Sequence, residues 1–398
     1  MNSKWILLSL FFLSIAAIAG TMMRLSIFTD VFIPYNNLLH AHSHIAFQGW
    51  IYLTLFLLIT KTYLPQDLYN SNRYRWQLYF TVFVLFGILI SFAAQGYGLV
   101  SIIFSSLFQL LNYVFAWTFL KDTRKTPTGK KKSISLKFIQ ASIILMCVST
   151  LGPWAVAVFS ANGMAQTEYF DASLYFFFHF QYNGWFSFAV IGLLFYLAET
   201  KGYSFNKSHA NKSFILFSWT IVPGYLLSLL GMSFGHYLYL PSLIIAIGQC
   251  LGLYYFIKSW KSSGIDKATW KNLLLFIFVC CLIIKFILQL SSAIPQLQEF
   301  AFHNRFVIIA YIHLTLIGFL TFALLFILNK LGWIMKSRIG QLFFITGFIT
   351  TEITLLFLTF SPQLSQYQLM VFFSTLMVIG SLWILIRQFF FQPHPKRA

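Results

Sequence analysis

The chain has 398 residues, 59% of them hydrophobic, 20% aromatic and only 9% charged. Soluble domains carry about 25% charged residues, so this composition excludes a soluble globular enzyme and describes a lipid-embedded chain. The net charge of +18 would suit a nucleic-acid binder, but its distribution points to membrane topology and no nucleic-acid partner is expected.

Twelve apolar runs follow one another, each long enough to cross a hydrocarbon core as a helix. They cover 5–24, 37–60, 75–97, 99–120, 138–160, 173–197, 213–237, 240–258, 271–291, 303–328, 339–360 and 368–387. No small-residue cleavage site follows the first, so it is expected to be a retained span. The longest polar loop, about 121–137, is basic and contains Pro127 and Gly129. No soluble module interrupts the runs and no internal repeat is evident. The expected architecture is all-α, a polytopic bundle of about twelve transmembrane helices forming one membrane domain over 1–398, with the lipid bilayer as its surroundings.

Of the 27 Lys and Arg residues, all but Arg24, Lys285 and Arg305 lie at the termini or in the gaps after even-numbered runs. Short basic loops stay in the cytoplasm, which places both termini inside and makes an even number of spans the right parity. Cys147, Cys250, Cys280 and Cys281 all fall within apolar runs without metal-thiolate spacing, and are expected as small packing residues. Lys285 and Glu352 each lie about fourteen residues from a cytoplasmic helix end. Their matching depth suggests a structural ion pair, which would offset the cost of burying either alone.

This orientation gives each histidine a depth. His40, His42 and His44 sit at the outer end of the second run, His179 about two turns into the sixth, and His236 at the exit of the seventh. His303 opens the tenth, and His313 lies ten residues later, about 15 Å deeper. His209 and His394 are cytoplasmic and ordinary. The other seven therefore share the outer half of the membrane on four runs. Imidazole is the commonest metal ligand and the usual axial ligand of low-spin haem, and facing bundle helices are where such sites are built. For each histidine alone, hydrogen bonding to a carbonyl or capping of a helix end is the competing reading.

Gly231-Met-Ser-Phe-Gly-His236-Tyr and the stretch from His303 through Tyr311-Ile-His313 to Gly318 resemble the haem-copper oxidase superfamily. The large subunit of nitric oxide reductases is the nearest form. Tyr35-Asn36 with Ala41-His42 resembles the second-helix segment of that family, and His179 with Gly184 resembles its sixth-helix motif. The resemblance implies that His42 and His313 are the axial ligands of one low-spin haem b, with Arg24 and Arg305 as propionate partners or interfacial anchors.

It also implies a degenerate binuclear site. Tyr311 stands where the proximal ligand of a second haem would be, and either ligates as tyrosinate or fills an emptied site. His179 and His236 stand where non-haem iron or copper would be held, with one histidine missing from the seventh helix and Asn183 replacing an acidic residue. His40 and His44 share a face that His42 does not, and are expected to be interfacial.

The implied function is a haem-binding integral membrane protein, a b-type electron-transfer or haem-holding subunit. A cytochrome or companion redox subunit is the implied partner and a bacterial inner membrane the implied location. An unusual oxygen or nitric oxide reductase is one alternative. A non-redox transporter or sensor that kept the fold is another. No Cys-x-x-Cys-His motif occurs, so covalent haem is not expected.

Overall fold

The computed structural model describes residues 4–124, 133–233, 235–261 and 272–390. Most of the basic loop at 125–132, His394 and the side chain of His236 lie outside the described residues. The described residues are helical, with no strand among them.

The principal helices are α1 (Lys4–Leu25), α2 (Tyr35–Tyr63), α3 (Asn72–Gln95), α4 (Leu99–Thr123), α5 (Ile134–Ala161) and α6 (168–201). They continue as α7 (Lys207–Ile221, then Pro223–Leu229), α8 (Tyr239–Lys261), α9 (Leu273–Ser291), α10 (Arg305–Lys330), α11 (Arg338–Phe360) and α12 (Leu364–Phe390). Ten of these are long and apolar enough to cross a membrane, and the bent α7 would make eleven. The exception is α6, where Gln181, Tyr182 and Asn183 dilute the apolar run. Large apolar side chains such as Phe83, Trp117, Trp219, Phe276, Phe357 and Phe372 are exposed along the helices. In water they would be a liability, and in a bilayer they are the lipid-facing surface.

The chain forms two compact units, 1–123 with 328–398, and 124–327. In the first, α1 packs on α2 and α12, α3 on α4, and α11 on α12. Glycines bring helices close: a Cβ on Gly49 would lie 2.8 Å from the Phe12 ring, and one on Gly380 would lie 2.5 Å from the Phe344 nitrogen. Small residues of this kind let membrane helices gain dispersion contact where lipid offers no hydrophobic drive. Aromatic pairs then fill the interior, with Tyr52 on Phe108 and Phe56 on Phe115, both at 4.7 Å between ring centres. Gly96, with φ of 61°, ends α3 at the turn into α4, where a side chain would meet the Asn37 amide oxygen.

At the other end of that hairpin, Asp122 is buried and accepts hydrogen bonds from Arg73 at 2.5 Å and from the Tyr74 hydroxyl at 2.8 Å. One turn further in, Gln77 donates to Thr118 at 3.1 Å. These bonds pin α3 to α4.

In the second unit, α5 packs on α6, α7 on α8, α8 on α9, and α9 on α10. Side-chain oxygens cap the entries: Ser133 for α5, Asn206 for α7, Asn272 for α9 and Asn304 for α10. Pro223 breaks α7, and the two halves meet at 51°. Beyond the break the Tyr225 nitrogen bonds back to Val222 rather than to Ile221. The Ile221 carbonyl is thereby passed over by the helical ladder.

Replacing Asp122 by Asn leaves the part-exposed Arg73 without its counter-charge and weakens the Tyr74 bond. The expected loss is about 1–3 kcal/mol, less than for a fully buried pair. It is measurable as a lower melting temperature of the detergent-purified protein, and an unchanged value would remove Asp122 from the hairpin's supports.

Candidate functional site

Three helices widen into π-helical turns of eight residues each: Ile45–Tyr52 in α2, His179–Phe186 in α6 and Leu314–Thr321 in α10. Such turns are rare and concentrate at functional positions. Each holds a glycine five residues after a histidine: His44 with Gly49, His179 with Gly184, His313 with Gly318. A buried aromatic follows every glycine, as Trp50, Trp185 and Phe319. In α6 and α10 a hydroxyl three residues past the glycine closes the wide turn. Ser187 donates to the Tyr182 carbonyl at 2.6 Å, and Thr321 to that of Leu316 at 2.8 Å.

The three histidines are 135 and 134 residues apart. The same histidine, glycine and aromatic frame thus recurs in α2, α6 and α10, four helices apart. The frame escaped a reading of composition because only the histidine, the glycine and one aromatic are shared, among apolar residues that all look alike.

In the first unit, His42 points at α1. Its Nδ1 donates to the Ala16 carbonyl at 2.8 Å, since a carbonyl can only accept. The ring reaches that backbone because Gly20 offers no side chain: a Cβ there would sit 3.0 Å from Cε1 of His42. In the neutral imidazole, fixing the proton on Nδ1 makes Nε2 the basic nitrogen. Arg24 follows Gly20 by one turn on the same face of α1, and the Glu352 carboxylate acts on it electrostatically.

His40 and His44 turn the other way, as their spacing requires. His44 stacks on Phe92 at 4.2 Å and meets the Tyr97 hydroxyl at 3.3 Å, while His40 packs against the Tyr97 ring at 4.5 Å. Both are thus set into an aromatic corner made by Phe92 of α3 and Tyr97 of the turn that follows it.

In the second unit, His179 is buried and both its ring nitrogens are engaged. Nε2 donates to the Ile221 carbonyl at 2.7 Å, and Nδ1 accepts from the Asn183 amide at 3.3 Å. The histidine thus satisfies the carbonyl that the break in α7 releases. Gln249 does the same for Thr220 at 3.4 Å. Gly224 allows the close approach, because a Cβ there would come within 2.5 Å of the Gln249 amide and 3.2 Å of His179.

On α10, Asn304 caps the helix and Arg305, its first residue, is exposed. Tyr311 is part-buried and lies within electrostatic reach of Tyr182. A second phenol beside it, rather than a cation, suits a packing tyrosine and not a tyrosinate ligand. His313 immediately precedes the π turn, and His303 ends the short helix before α10, exposed, with Nδ1 on the Glu299 carbonyl at 3.0 Å.

No protein-family model matches the chain, and no curated protein matches it. The candidate ligands must be weighed on their own surroundings. Among the described residues no three His, Cys, Asp or Glu side chains gather as a metal ion requires. With both of its nitrogens committed, His179 does not fit the non-haem metal role. His42 does fit an axial role, because a ligating histidine characteristically donates its other ring N–H to a backbone carbonyl. The residues missed from sequence are Gln249, Ile221 and Gly224. Pro223 inside an apolar run was the signal that could have found them, since a broken span must find new partners for its carbonyls.

His179→Leu removes the donor to Ile221 and the acceptor for Asn183 together. A loss of about 1–3 kcal/mol is expected from the stranded carbonyl, seen as a lower melting temperature. Stability equal to the parent would contradict the role given to His179.

Proposed function

We propose that the chain is a haem-binding integral membrane protein of haem-copper oxidase type, in which His42 and His313 are the axial ligands of one low-spin haem b. The observation that carries this reading is the His42 imidazole, its Nδ1 held on the Ala16 carbonyl over Gly20 so that Nε2 is the nitrogen able to ligate. The His313 position, at the mouth of a π turn in the same frame as those of α2 and α6, supports it further.

The recurring frame also favours counting α6 as a span. It is the counterpart of α2 and α10, both of which are long and apolar enough to cross, and its inclusion gives twelve. Basic loops then put both termini in the cytoplasm, in keeping with a bacterial inner membrane. Bound haem supplies one-electron transfer. The chain itself orients the ring of His42 through α1 and places Arg24 one turn beyond Gly20, available to a propionate. A companion redox subunit would deliver electrons, and the crowded surroundings of His179 and Tyr311 leave the second metal centre outside this reading.

A second reading, a non-redox transporter or sensor that kept the fold, draws on the broken α7. Discontinuous helices are a recurrent device for binding solutes inside a membrane.

Reduced-minus-oxidised spectra of the purified protein separate the two. One b-type haem is expected, lost in His42→Ala and in His313→Ala. Gly20→Val, which pushes the His42 ring off α1, is expected to reduce haem content severalfold. Retention of haem in His42→Ala with loss in His44→Ala would transfer the role to the residue in the repeat frame. Protein free of haem after expression with ample haem supply would leave the transporter reading.

A further inference from the structure

The break in α7 opens a half-enclosed cavity of about 30 Å³ within the second unit, lined by Asn183, Thr220, Ile221, Gln249, Lys285 and Gln289 among others. Lys285 is 3% exposed, and its ammonium donates to Gln289 at 3.0 Å and lies 4.7 Å from the centre of the Phe286 ring. No carboxylate is among these partners, all of which sit on α9 itself. Two acceptors on the cavity wall, Asn183 Oδ1 and Gln249 Oε1, are buried without a hydrogen-bond partner. The cavity thus holds a donor with protons to spare and two acceptors lacking donors, in a setting where unpaired polar groups are costly.

The occupant must complete both kinds of group at once. A metal cation would suit the carbonyls but be repelled by the ammonium, and a simple inorganic anion would suit the ammonium but offer nothing to the carbonyls. An acyl chain would satisfy neither. Water accepts from the ammonium and donates to the amides. A water needs roughly 10–15 Å³ on this measure, so the space suits two. We propose that the break in α7 houses an internal hydrated site in which about two water molecules join the Lys285 ammonium to the Asn183 and Gln249 side-chain carbonyls.

Water there would hydrate the Lys285 amine within the membrane interior, where its described contacts are Gln289 and the Phe286 ring. Asn183 also donates to His179, so the site extends by one hydrogen bond to the imidazole that closes the α7 break. Cys250 and His179 are the titratable groups that act on Lys285 from α8 and α6. The π turn of α10 that packs on α9 contributes none from its own eight residues. The site is independent of the haem reading.

A density map of the full chain in lipid nanodiscs, at a resolution where ordered water is visible, tests it directly. Peaks within hydrogen-bond distance of Lys285 Nζ and of either carbonyl are expected. A cavity without density, or one filled by an acyl chain, would overturn the proposal. A double-mutant cycle reads the same link in solution. Gln249→Leu is expected to lower the melting temperature by several degrees, and by less than half as much in a Lys285→Met background. Equal shifts in both backgrounds would count against a shared water.

Discussion

Inside a bilayer bulk solvent does not finish the hydrogen bonding of an irregular backbone, so a departure from the α-helix has to be closed by the protein or by water that it encloses. Most of the polar chemistry in this chain can be traced to that constraint. Departures from α geometry among the described residues include three π turns, the break in α7 and the step at Thr150 in α5, and side chains attend several of them. Ser187 and Thr321 close two of the wide turns. His179 and Gln249 close the break in α7. A histidine buried for this purpose is a structural part. The same residue type on α2 is held by a carbonyl of α1 through Nδ1.

Much of the architecture was legible in the chain. The apolar runs match the helices closely, because span length is dictated by bilayer thickness and little else. The opposed faces of His40 and His44 against His42 followed from helical periodicity alone, and α1 and α3 receive them on opposite sides. The finer contents of the site were not legible. Asn183, which stands where the resembled family has an acid, looked like a loss, whereas its amide is the donor that the neutral His179 accepts. Lys285 was expected to face an acid at matching depth; its ammonium instead takes Gln289, one turn along its own helix. Depth is a single coordinate. Partner choice depends on rotation about the helix axis and on side-chain torsions, which hydropathy does not encode.

The frame shared by the three π turns was hidden for a related reason. In a lipid-facing helix almost any apolar residue is acceptable, so a shared pattern shows only where backbone geometry constrains the sequence. What persists is the histidine, the glycine that admits a wide turn, and the aromatic that fills the space beside it. Those positions carry the fold's irregularities, and they are the ones a search for similarity by composition passes over.

The spacing of the three π turns has a consequence for how such a chain is threaded into a membrane. Four helices cross an even number of times, so on the twelve-span reading α2, α6 and α10 all run in one direction. A spacing of three helices would have alternated that direction from one turn to the next. On that reading, the even spacing lets each of the three helices enter from the same face with its histidine at the head of its wide turn.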